Sequence, residues 1–110
     1  MIWIDGYELN YPDDNVSNRF RRWLARNRAV EHAFVDAAMR ALKDERKLSG
    51  YAIVQFIRAQ HGFEIMNDFG PILARLAVAK HPDLRRVFDL KKTGWGKQRK
   101  PISDDDLFRK

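Results

Sequence analysis

The sequence of 110 residues contains no cysteine. Disulfides, thiolate zinc sites and cysteine nucleophiles are therefore excluded together, and a reducing compartment such as the cytoplasm is favoured. No apolar run approaches the roughly 18 residues that a membrane-spanning helix needs. The N-terminal segment MIWIDGYELNYPDD has neither the basic region nor the apolar stretch of a signal peptide. We therefore expect a cytoplasmic protein with no membrane partner.

Residue patterns typical of catalysis and of metal binding are also scarce. The imidazoles are His32, His61 and His81, and they show neither His-x-x-x-His nor Glu-x-x-His spacing. The segment 94–97, GWGK, resembles a phosphate-binding loop, but no strand-loop-helix pattern surrounds it. The run of aspartates at 104–106 is typical of solvated charge. We expect no enzyme activity, no metal and no cofactor.

Positive charge is in excess, and it is concentrated in two places. Lys and Arg number 21 against 15 Asp and Glu, for a formal charge of +6. Residues 19–28 and 91–100, here called the first and second basic segments, carry five basic residues each. Each segment also contains a tryptophan, Trp23 or Trp95. Basic residues interleaved with aromatics suit phosphate contacts combined with base stacking.

Two interpretations of the first basic segment stay open at this point. Phe20, Trp23 and Leu24 have the spacing of a helix's core face, which would leave the arginines merely hydrated. The second basic segment lacks such a period. Under the functional interpretation, the nucleic-acid-binding residues are Arg19, Arg21, Arg22, Arg26, Arg58, Lys91, Lys92, Trp95, Lys97, Arg99 and Lys100.

Local patterns predict a β-hairpin followed by helices. Asp5-Gly6, between alternating β-favouring residues, is typical of a two-residue hairpin turn. The apolar periodicity and helix caps predict four helices, with N-caps at Asp14 or Asn15, at Asn27, at Ser49, and at Asn67 or Asp68. The predicted helices cover about 16–26, 28–44, 50–60 and 69–80.

Shorter elements complete this prediction. The segment 63–67, FEIMN, has partly β-like character, Pro82 starts a single helical turn, and 87–90 is a candidate short strand. The fold class is thus mainly α: a four-helix core with an N-terminal β-hairpin and a short strand. We expect one domain over 1–90 and a flexible tail over 91–110, first basic and then acidic.

Helix-turn-helix and winged-helix proteins are the candidate architectures for this helical core. The connection HGFEIM between the third and fourth helices exceeds the usual three or four residues, which favours the winged-helix variant. A recognition helix also needs outward Arg, Lys, Asn or Gln side chains. Neither the 49–60 helix nor the 67–80 helix is rich in them. Any nucleic-acid binding is therefore expected to rely mainly on phosphate contacts.

Several motifs lie at fixed spacing along the middle of the chain. They are Phe20…Trp23…Asn27…Val30…Phe34, Leu48-Ser49-x-x-Ala52-Ile53-x-x-x-Ile57-Arg58, Phe63-x-Ile65-x-Asn67-Asp68-Phe69-x-Pro71, Ala74-Arg75 and His81-Pro82-Asp83-Leu84-x-x-x-Phe88. Together they resemble a group of small proteins found in phages and prophages, over about residues 16–90. The resemblance implies a phage or prophage context within a host cell and says nothing about catalysis.

Two functions follow as hypotheses. The first is a small nucleic-acid-binding protein, with DNA as the favoured ligand, that acts mainly through phosphate. The alternative is a protein-interaction module that binds and redirects a host protein. The tail sequence DDDLF favours the alternative, because Leu107 and Phe108 could anchor in a partner's pocket while the aspartates steer towards a basic rim.

Overall fold

The computed structural model describes residues 1–88. Its elements are β1 (Ile2–Ile4), β2 (Tyr7–Leu9), α1 (Asn15–Arg26), α2 (Arg28–Lys43), α3 (Gly50–His61), α4 (Phe69–Lys80) and a 3₁₀ helix (Pro82–Arg86). The prediction of a mainly helical fold with four helices and an N-terminal hairpin is confirmed.

The hairpin is closed by the predicted two-residue turn. Asp5 and Gly6 have φ angles of 52° and 85°, the positive values that a type I′ turn requires. The strands pair antiparallel with Ile2 opposite Leu9. The side chains of Ile2, Ile4 and Leu9 are buried, and β2 packs against α4. An isolated hairpin is marginal in water, so this contact with the helices stabilises it.

Side-chain caps define both ends of α1. The Ser17 N–H donates to Asp14 Oδ1 at 3.0 Å, and the Asp14 N–H donates to Ser17 Oγ at 2.9 Å, a reciprocal capping box. Asn27 is the N-cap residue of α2, as predicted, but its side chain makes no capping hydrogen bond there. Asn27 Nδ2 instead donates to the Trp23 carbonyl oxygen at 2.7 Å. Its amide therefore satisfies the last turn of α1.

The ends of α3 and the start of α4 lie where predicted, but the N-cap side chain acts as predicted only at α3. Ser49 Oγ accepts from the Ala52 N–H at 3.0 Å, and Gly62 ends α3 with a φ of 74°, a left-handed value that glycine adopts without strain. Asp68 precedes α4, but its side chain makes no capping hydrogen bond. Tertiary burial, rather than a local cap, therefore fixes where α4 begins.

α4 is the central helix of the fold. All its residues from Phe69 to Ala77 except Pro71 are buried. Near its N-terminus it approaches α3 so closely that a Cβ atom on Gly50 would lie 2.4 Å from the Gly70 carbonyl oxygen. A helix covered in this way has no face for a DNA groove, so α3 and α4 do not form a helix-turn-helix with α4 as its recognition helix.

Within the described residues, neither the partly β-like segment 63–67 nor the first half of the candidate strand 87–90 forms a strand. Residues 63–66 form an irregular loop, while Val87 and Phe88 lie in a turn and a bend. The N–H groups of Val87 and Phe88 donate to the Leu84 carbonyl at 2.9 and 3.2 Å. The donors that a strand would need are thus used locally, and residues 1–88 contain no wing strand after α4. Residues 89–90 lie outside the described range.

One hydrophobic core joins the hairpin, the four helices and the 3₁₀ helix. Its largest fully buried side chains include Phe20 of α1, Phe34 of α2 and Phe69 of α4. None of the helices within residues 1–88 has the length and apolar character needed to cross a membrane. The predicted boundary at residue 90 and the predicted tail lie outside the described residues.

Candidate nucleic-acid interface

The inner face of α1 belongs to the core. Phe20 and Leu24 are buried, and the Trp23 ring lies 5.7 Å from Phe20 and 4.9 Å from Phe69, centroid to centroid. These contacts confirm the interpretation that Trp23 packs against the core. They also fix the rotation of α1, so that its remaining side chains face solvent in a defined direction.

The outer face of α1 carries only amide and guanidinium groups along one line. Positions three, four and seven apart share a helix face, and such positions here span about 16 Å between their first and last Cα atoms. No Asp or Glu occurs within α1. The exposed side chains that form this line, here called the α1 stripe, are Asn15, Asn18, Arg19, Arg22 and Arg26.

The arginines of the stripe differ in how the protein engages them. Arg19 Nη1 lies 3.7 Å from Met66 Sδ, a weak contact on the surface. Within residues 1–88, no hydrogen bond or ion pair engages the side chain of Arg22 or of Arg26. Both guanidinium groups are therefore available to an anion, and Arg19 becomes available at little cost.

Arg21 lies beside the stripe and contacts it. Its side chain is 37% exposed, and its Nη2 is 3.9 Å from Asp13 Oδ1. Its Nη1 donates to Asn18 Oδ1 at 3.0 Å. Arg21 thus orients the Asn18 amide and is partly neutralised by Asp13, so it contributes less to an anion site than Arg22 or Arg26.

Arg28 belongs to the first basic segment but not to the interface. Its Nη1 and Nη2 donate to the two Asp5 carboxylate oxygens at 2.7 and 2.9 Å, and Lys80 Nζ contacts Asp5 at 2.9 Å and Glu31 at 2.7 Å. The hydrogen bond to Asp5, then that to Glu31, holds the pKa of Arg28 above its ordinary value. Two cations and two carboxylates cancel within this cluster, whose function is to tie the hairpin turn to α2 and α4.

Arg58, also predicted to bind nucleic acid, is half-buried on α3. Its guanidinium donates to the Ile65 carbonyl oxygen and, at 3.2 Å, to Gln55 Oε1. The neighbouring Met66 is the residue that Arg19 touches. Arg58 therefore holds the loop against which Arg19 lies and acts on the interface through that loop.

The other predicted site residues cannot be placed. Lys91, Lys92, Trp95, Lys97, Arg99, Lys100, Leu107 and Phe108 all lie outside the described residues. Within residues 1–88, no group of three or more His, Asp or Glu side chains is positioned to hold a metal ion. His61, the last residue of α3, stacks on Phe63 with ring centroids 5.0 Å apart.

Sequence reasoning missed Asn15 and Asn18 as members of the interface. The predicted site included the arginines of the first helix, whereas outward amide groups were expected only on the third and fourth helices, which matched the helix-turn-helix pattern. The signal was nevertheless present in the sequence, since Asn15, Asn18, Arg19, Arg22 and Arg26 follow helical spacing.

Comparison of the chain with protein-family models, with curated proteins and with solved structures finds no match. The candidate function therefore rests on the chemistry of the α1 stripe.

Proposed function

We propose that this protein binds nucleic acid, DNA in particular, through the outer face of α1. The observation that carries the proposal is the α1 stripe: three exposed arginines and two asparagines on one helix face, in a helix with no carboxylate. Guanidinium groups form paired hydrogen bonds with phosphate oxygens. Arg19, Arg22 and Arg26 would supply most of the binding free energy as phosphate contacts.

The second basic segment extends this proposal. Its five basic residues add charge that the α1 stripe alone lacks, and Trp95 would stack on an unpaired base. The resemblance to phage and prophage proteins leads us to propose binding in the host cytoplasm, without an enzymatic step.

The test is a salt titration with a variant of the stripe. We expect wild-type protein to bind a fluorescent DNA duplex at low salt and to lose affinity steeply as salt rises. Replacing Arg19, Arg22 and Arg26 by Gln should lower affinity at least about 10-fold and reduce the slope of log K against log salt by about 2 to 3. Fluorescence anisotropy measures both quantities.

The matched control removes the same charge elsewhere. Lys43, Arg46 and Lys47 are exposed near the end of α2, away from the stripe, so replacing these three by Gln should leave most of the affinity intact. Equal losses in the two triple variants would contradict an α1 interface. Absence of binding at low salt would overturn the function itself.

A groove between α2 and α3 favours the second candidate function, a protein-interaction module. It has a volume of about 500 Å³ and is lined by Ala33 and Ala37 of α2 with Phe56 of α3. Phe56 is 46% exposed, which is high for a large apolar side chain and suits an apolar side chain from a protein partner.

A nuclease-treated pull-down separates the two candidates. Partners that disappear with nuclease favour nucleic-acid binding. A stoichiometric protein that survives nuclease and is lost from Phe56→Ser, but not from the Arg-to-Gln stripe variant, favours the interaction module.

A further inference from the structure

We propose that α1 enters the major groove of duplex DNA and recognises bases, so that the protein is sequence-specific. This inference rests on the proposed function and deepens it, because the phosphate contacts would hold the protein on the duplex while α1 selects the site. The juxtaposition that carries it is a line of two amide groups followed by three guanidinium groups on the exposed face of a rigidly held helix.

The chemistry of the stripe exceeds what phosphate binding needs. Phosphate attracts any cation, whereas asparagine has no charge and contributes little to such attraction. In the major groove, however, an Asn amide forms paired hydrogen bonds with the N6 and N7 edge of adenine. Asn15 and Asn18 thus match adenine edges, while the longer arginine side chains of the stripe reach the phosphates.

The dimensions of the stripe fit a groove. An α-helix enters the major groove, which is about 12 Å wide. The roughly 16 Å from the first to the last stripe residue cover about five base pairs at about 3.4 Å each. Ala25, exposed at the flank of the stripe, is small enough to permit close approach, and its methyl group suits contact with a thymine methyl.

The protein also orients the amide of Asn18. Arg21 Nη1 donates to Asn18 Oδ1 at 3.0 Å, and Arg21 is in turn held near Asp13. An amide oxygen accepts two hydrogen bonds, so Oδ1 can still accept from adenine N6 while Nδ2 donates to N7. Arg21 is therefore a positioning residue for this contact.

α1 is fixed at both ends and along its back. The capping box of Asp14 and Ser17 holds its first turn, and Asn27 satisfies its last turn. The rings of Phe20, Trp23 and Phe69 lie behind its middle. Base recognition requires side chains placed with such rigidity, because a bidentate pair tolerates little misalignment.

The experiment selects duplexes from a random pool with the full-length protein and compares affinities by anisotropy. We expect an enriched site of about five base pairs that contains adenine. Asn18→Ala should weaken binding to the selected duplex about 5- to 150-fold, while affinity for a scrambled duplex and the salt slope stay unchanged. Alanine favours a helix more than asparagine does, so loss of folding would not explain the result.

Gln60→Ala is the matched control, because Gln60 is an exposed neutral side chain on α3. Gln60→Ala should change the affinity for neither the selected duplex nor the scrambled duplex. Two outcomes would overturn base recognition and leave the proposed function standing. One is salt-dependent duplex binding without an enriched site, and the other is an equal effect of Asn18→Ala on both duplexes. A preference for single strands over every duplex would do the same. Absence of binding to any nucleic acid would overturn both.

Discussion

Asp5, at the tip of the hairpin, both adopts the backbone conformation of the turn and forms ion pairs with two helices. Its backbone has a φ of 52°, which Asp and Asn tolerate better than most residues. Its carboxylate contacts Arg28 at 2.7 Å and Lys80 at 2.9 Å. Hydrogen bonds from Arg28 and then Lys80 hold the pKa of Asp5 well below the ordinary value of 3.8. A single side chain thus joins the turn to two helices.

Stability contributed by Asp5 should depend on pH. Since the carboxyl pKa is lower in the folded state than in the unfolded state, the contribution is complete above about pH 4 and is lost as the pH falls below it. Asp5→Asn keeps a residue suited to the turn but removes the charge. We expect it to lower the free energy of unfolding by about 1 kcal/mol at pH 7, with a smaller difference at pH 2.5, measured by urea denaturation.

Asp36→Asn is the control for this effect. Asp36 is exposed on α2, and no ion pair engages it within residues 1–88. Its replacement should leave stability unchanged at both pH values. If the Asp5→Asn difference were the same at pH 7 and pH 2.5, the ion cluster would not be its origin.

At the scale of secondary-structure elements, the sequence predicts a helix end well where the capping residue bonds to its near neighbours in the chain. Asp14, Ser49 and Gly62 act within four residues of themselves, so their patterns predicted the bounds of α1 and α3 closely. Asn27 and Asp68 occupy the predicted N-cap positions of α2 and α4, but neither side chain makes a capping hydrogen bond there. The central burial of α4 depends on contacts with β2 and α3, and no local pattern expresses such contacts.

In α1, too, local spacing predicts some features, whereas others depend on contacts between residues distant in sequence. Helical spacing alone places Arg22 and Arg26 on one exposed face. That Arg28 is unavailable could not be predicted, since its partner Asp5 lies 23 residues away in sequence. The sequence therefore indicated a basic helix, and the structure separates the arginines that bind within the protein from those that face solvent.

The crossing of α3 and α4 supplies a prediction about packing. A Cβ atom on Gly50 would lie 2.4 Å from the Gly70 carbonyl oxygen, whereas a Cβ atom on Gly70 would meet backbone only at 3.2 Å. We expect Gly50→Ala to destabilise the protein by about 2 kcal/mol, because the helices must separate. Gly70→Ala should cost less, because a contact at 3.2 Å is relieved by a shift of a few tenths of an ångström.

Thermal and urea denaturation measure this difference directly. Gly70→Ala serves as the matched control, because it adds the same methyl group at the same crossing. Equal effects of the two substitutions would show that the close approach at Gly50 does not limit packing.

For the whole molecule, the formal charge of +6 describes the protein poorly. Asp5, Arg28, Glu31 and Lys80 cancel one another within the fold. The acidic turn before α1 lies next to the most basic helix, and Asp13 partly neutralises Arg21 there. What an anionic partner meets in residues 1–88 is the local field of the α1 stripe rather than the average charge.

A charge-compensated variant tests this statement. Replacing Arg19, Arg22 and Arg26 by Gln, together with Asp36→Asn, Asp44→Asn and Glu64→Gln, leaves the formal charge at +6. The three acidic residues are exposed. If the position of the charges governs binding, the variant with six substitutions should lose as much DNA affinity as the Arg-to-Gln variant. Its slope of log K against log salt should fall equally, because the phosphate contacts are gone. If average charge governed binding, the variant with six substitutions would bind as wild type does, and replacing only the three acidic residues would strengthen binding. Anisotropy at two salt concentrations distinguishes these outcomes.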